Sequence, residues 1–159
     1  MRAVTGLAIL IFAPAALACS FIQPTAVELN KSLAKPGEMA PDSPRIAVKS
    51  IHRGNAEDPT DSCGDTGVIA LVMPATEEAK EIAYTFELMS GEADDLIFFE
   101  GTFQGFEDEE TKQLQFVFPW LDGAKAKQEP LALVVRVTPY RLSGLKGQPV
   151  TLKITDAGR

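Results

Sequence analysis

Residues 81–89 read Glu-Ile-Ala-Tyr-Thr-Phe-Glu-Leu-Met. Ile82, Tyr84, Phe86 and Leu88 fall on one side of a two-residue period, and Glu81, Ala83, Thr85 and Glu87 on the other. That period sorts side chains to the two faces of a strand, whereas a helix would scatter them around its axis. Six more short apolar segments accompany it, at 45–51, 66–73, 96–103, 114–118, 131–137 and 150–154. Within them Leu114, Phe116 and Phe118 share a face, as do Leu131, Leu133, Val135 and Val137, and Val150, Leu152 and Ile154. Segment 66–73 is apolar on both faces and predicts a central strand. Turn residues separate the segments: Ser90-Gly91, Gly101 and Gly105, Asp122-Gly123, and Gly144 to Pro149. The one helical candidate, 76–82, is one or two turns long and marginal alone. Seven strands and no sustained helix predict an all-β fold, an antiparallel β-sandwich.

The 159 residues suffice for one such domain. Two segments precede it. Residues 1–18 have a basic start at Arg2, an apolar run over 7–17 broken by Pro14, and small residues at Ala16 and Ala18. That is the layout of a secretory signal peptide, with cleavage expected before Cys19. No later segment is long and apolar enough for a membrane helix. Residues 19–44 hold Pro24, Pro36, Pro41 and Pro44 with little periodicity and read as a Pro-rich tail, leaving 45–159 as the domain. Asn30-Lys31-Ser32 matches a glycosylation acceptor and is read as a chance match.

Export to a periplasmic or extracellular compartment makes a disulfide available, and Cys19 and Cys63 are the two cysteines. A bridge between them would add roughly 3–4 kcal/mol by loop-closure entropy. The alternative is a lipid anchor on Cys19. Ala16-Leu17-Ala18-Cys19 matches a lipoprotein box poorly, and lipidation would leave Cys63 an odd thiol. The disulfide is the favoured expectation.

The C-terminal stretch, Pro130 to Thr138 followed by a Gly-containing loop and Gln148 to Ile154, resembles the last hairpin of fibronectin type III and related immunoglobulin-like domains. Tyr84 stands where such domains bury an aromatic residue. The resemblance extends over about 45–155 and is similar to that of small exported bacterial proteins with one such domain. It implies an immunoglobulin-like sandwich and leaves the function open, because this fold carries many roles. The second strand lacks a Trp, Leu131 and Leu133 replace an expected Tyr, and no Cys lies on the sixth strand.

Reactive constellations are sparse. His52 is the single histidine and has no Gly-x-Ser-x-Gly elbow to serve, so it reads as a surface residue at a strand end. Asp58, Asp61 and Asp65 offer oxygen ligands but not in a calcium-loop spacing, which favours turn stabilisation. Glu107 to Glu110 reads as a solvated hairpin loop. No phosphate-binding Gly-rich motif and no cofactor signature appears, and no catalytic or metal-binding residue is assigned. Acidic residues (22) exceed basic ones (15), for a net charge of −7, which argues against nucleic acid as a partner.

That charge is uneven: 74–113 carries twelve acids and two bases, and 123–159 seven bases and two acids. An acidic strand at one sheet edge and a basic strand at the other would orient association with a protein partner or a second copy. Edge protection is the plainer reading and the favoured one. Phe98, Phe99, Phe103 and Phe106 form a candidate interaction surface, because alternation through Phe98-Phe99 must turn one ring outward unless the N-terminal tail covers it. The expectation is an exported, non-catalytic binding or envelope-associated module. A lipid-anchored structural protein comes second and a hydrolase third.

Overall fold

The computed structural model describes residues 21–55, 63–91, 97–122 and 128–158. Residues 1–18, expected as a signal peptide, and Cys19, Asp58 and Asp61 lie outside the described residues. The described strands are β1 (Thr25–Ala26), β2 (Ala47–His52), β3 (Thr66–Pro74), β4 (Ile82–Ser90), β5 (Phe103–Gln104), β6 (Phe106–Asp108), β7 (Gln113–Leu121), β8 (Leu131–Arg141) and β9 (Val150–Asp156). One sheet has the order β1-β5-β4-β8-β9 and the other β2-β3-β7-β6, and every pairing is antiparallel. The two sheets pack face to face as a sandwich.

Alternation places the core. Ile82, Tyr84 and Phe86 of β4 turn inward, as do Leu114, Phe116 and Phe118 of β7 and Leu131, Leu133, Val135 and Val137 of β8. The rings interlock at the centre, with Phe86 4.8 Å from Phe118 and 5.1 Å from Phe116, centroid to centroid. Such edge-on and tilted contacts contribute roughly 0.5–1.5 kcal/mol each beyond burial. Leu88, though in register with the buried Val135, is 41% exposed, and the ladder shifts register just beyond it, between Leu88 and Ser90. Trp120 lies over Gly67, its cross-strand partner. A Cβ at Gly67 would collide with the indole, so that position admits no side chain.

The segment expected as a strand at 96–103 is corrected. Residues 97–102 pair in no ladder, and only Phe103–Gln104 forms β5. The chain then crosses between sheets at Gly105, where a Cβ would press on Phe116 and on the Gln115 carbonyl. It continues directly as β6, so this flank of the sandwich is closed by the chain itself. The short helix α1 (Glu77–Lys80) sits where expected, with the Thr76 side chain accepting from Ala79 N. Lys80 joins it to β6 through Glu107 at 2.9 Å.

Residues 21–44, the described part of the segment 19–44 expected as a tail, lie along the sandwich. Val27 N donates to Thr102 O at 2.9 Å and Asn30 N to Leu142 O at 2.7 Å. Arg141 Nε donates to Met39 O at 3.0 Å, and Ser143 Oγ to Glu38 at 2.6 Å. Pro24 and Pro41 are buried. Asn30 of the acceptor-like triplet caps a 3₁₀ turn over Lys31–Leu33.

Candidate functional site

Two of the four phenylalanines of the expected surface are buried in the core, and a third lies in the opposite sheet. Phe98 is 5% exposed and packs against Phe118 at 5.0 Å, so it belongs to the core. Phe103 is 6% exposed and faces inward from β5. Phe106 is half-buried on β6, in the opposite sheet. A continuous four-ring patch is therefore not formed. The run Ile97-Phe98-Phe99 leaves the ladder and buries two of its three side chains without strand alternation.

Phe99 and Phe103 do meet, with centroids 6.4 Å apart. Both line a cleft of about 860 Å³ whose opposite wall is the N-terminal segment, including Ala26, Val27 and Leu29. The N-terminal segment thus forms one wall of the cleft that these rings line. Two carboxylates, Glu28 and Glu100, stand exposed among the lining residues. The Thr102 hydroxyl donates to Val27 O and so helps hold the two walls together. The outer backbone of β1 forms the edge of its sheet. A cleft of this size, lined by apolar and polar groups together with two carboxylates, is suited to holding a ligand segment.

His52 is exposed at the end of β2, with no charged or nucleophilic side chain bonded to it among the described residues. Glu107 and Asp108 belong to β6 rather than to a free loop, and the turn follows at Glu109. The Asp108 carboxylate accepts from Thr111 N and Glu110 N, which holds it below the usual carboxylate range, with the Thr111 backbone bond the largest cause. Among the described residues no group of three or more His, Cys, Asp or Glu could hold a metal ion. Asp65 is exposed, while its companions Asp58 and Asp61 are not described. No described cysteine is a free thiol.

The expected edge-to-edge charge separation is also corrected. β4 is an interior strand hydrogen-bonded to β8, so acidic and basic segments are neighbours. Glu87 pairs in register with Arg136, and the side chains meet at 2.7 Å. Arg141 reaches Glu78 at 2.7 Å.

One cluster escaped the sequence altogether. Arg53, just after β2, gives Nε and Nη2 to the two oxygens of Asp122 and Nη1 to Asp156 Oδ1 at 2.9 Å and Glu129 O at 3.0 Å. Gly54 N also donates to Asp122, at 2.7 Å. These partners join both sheets at the end of the sandwich opposite α1. Desolvation opposes the charge on Arg53, but the Asp122 hydrogen bonds prevail and raise its affinity for the proton. Every strong charge here is met by another protein group, which makes the cluster a clasp rather than a reactive centre. Its partners lie 69 to 103 residues away in sequence, beyond any local pattern. No family model matches the chain, and no curated protein or solved structure does either.

Proposed function

We propose that the chain is an exported, non-catalytic, immunoglobulin-like binding module of the envelope or medium, and that the cleft lined by Phe99 and Phe103 receives its partner. Support for the immunoglobulin-like reading comes from strand order. Sequence β2-β3-β7-β6 corresponds to strands A, B, E and D of such a sandwich, and β5-β4-β8-β9 to C′, C, F and G. The observation that carries the binding role is the cleft itself: paired rings on one wall, apolar N-terminal residues on the other, and carboxylates Glu28 and Glu100 at the rim. These features favour an extended protein segment with apolar side chains and flanking Lys or Arg, laid beside the open edge of β1.

Fluorescence anisotropy with two labelled peptides tests this. Both carry alternating Leu and Thr, one flanked by Lys and the other by Glu. The Lys-flanked peptide is expected to bind about tenfold more tightly at low salt, with the gap closing as salt rises. Equal affinity, or binding by neither, would contradict the proposal.

A further inference from the structure

A second cleft, of about 420 Å³, opens at the α1 end of the sandwich, between the end of β3 and the start of β4. Met73, Ile82 and Ala79 supply apolar wall, and the N-terminal segment supplies Pro44 at the rim. Tyr84 lines the same cleft. Its side chain is almost wholly enclosed, at 2% exposure, with the ring edge-on to Phe116 at 5.4 Å. Its hydroxyl makes no hydrogen bond to a described residue, and the oxygen is not sealed away from the cleft.

An enclosed phenol nearly always finds a partner, since an unmet hydroxyl loses its hydration without return. Here the partner position opens onto the cleft. Burial first, and the Glu78 carboxylate second, push the Tyr84 phenol up to about 12. It therefore stays protonated and donates across the neutral range. Asp42 and Glu78 line the cleft together with Arg45, and Glu78 is paired with Arg141, so no single sign of charge dominates it. We infer that this cleft binds a small, uncharged, largely apolar ligand that presents a carbonyl or ether oxygen to the Tyr84 hydroxyl. The site is separate from the cleft at Phe99 and does not depend on the peptide reading.

Acetophenone and ethylbenzene are matched probes, alike in shape but with an acceptor oxygen only in the first. Titration of the ¹⁵N-labelled protein is expected to shift the amides of Thr76, Ala79 and Ile82 with acetophenone. Ethylbenzene should bind about five- to tenfold more weakly, the scale of one neutral hydrogen bond. In Tyr84→Phe the two probes should become equal. The wild-type comparison stands even if that variant folds poorly. Ala79→Phe, which fills the cleft from α1, should abolish binding of both. Equal affinities in the wild type, a preference that survives Tyr84→Phe, shifts located elsewhere, or no binding by either probe would each overturn the inference.

Discussion

The Arg53 guanidinium meets the Asp122 carboxylate fork to fork, Nε to Oδ2 at 2.8 Å and Nη2 to Oδ1 at 2.9 Å, with the two side chains 6% and 5% exposed. A pair so enclosed is costly to break singly, because Arg53 stays buried with its Nε and Nη2 left without a partner. Asp122→Ala is therefore expected to lower stability by about 3–5 kcal/mol in urea unfolding. A small effect of Asp122→Ala would mean that water reaches the guanidinium and that the clasp is not dry.

The Gly67–Trp120 contact leaves no room for a Cβ. Gly67→Ala is expected to cost about 1–3 kcal/mol by overpacking. Because Trp120 is the single tryptophan, its fluorescence reports the change directly. An emission maximum and an unfolding midpoint both equal to wild type would contradict the packing.

Asp108 titrates below its ordinary range because Thr111 N, and then Glu110 N, hold the charged form. A carboxyl group depressed on folding stabilises above its unfolded value, and that contribution is lost as pH falls through the folded value. The turn after β6 should therefore loosen only below about pH 4, the ordinary range for Asp. The Thr111 and Glu110 amide resonances should follow that transition, and Asp108→Ala should remove it. A transition near pH 6 would point to another group.

The proposed Cys19–Cys63 bridge predicts an intact mass, after removal of residues 1–18, that rises by two hydrogens on reduction. Reduction should also lower stability, by roughly 3–4 kcal/mol on the loop-closure scale. A diacylglycerol adduct on Cys19 would instead establish the anchored alternative.

What could be read from the sequence followed from how local each constraint is. β4, β7, β8 and β9 announced themselves because one buried face imposes a period of two on Tyr84 and Phe86, on Phe116 and Phe118, and on Leu133 and Val135. The run at Phe98 misled because apolar residues can be buried by packing without pairing in a ladder. β1 and β6, at two and three residues, are too short to carry a period. The Arg53 clasp and the cleft between Phe99 and the N-terminal segment depend on partners brought together only by the fold. Glu87 and Arg136 show the same limit: their opposite charges were plain, but their adjacency needed the β4–β8 register. An exposed pair of this kind adds little stability and cancels local charge.

The most direct test of the proposed binding role is the affinity of the Lys-flanked peptide for Phe99→Ala and Glu100→Lys, each compared with wild type by anisotropy. Phe99 is half-buried and Glu100 exposed, so neither change removes a fully buried side chain. Phe99→Ala should weaken binding about tenfold or more, as expected for truncating an aromatic anchor. Glu100→Lys should weaken it at low salt and leave the salt dependence flatter. Unchanged affinity in both variants would show that the peptide does not use this cleft and would contradict the proposed function.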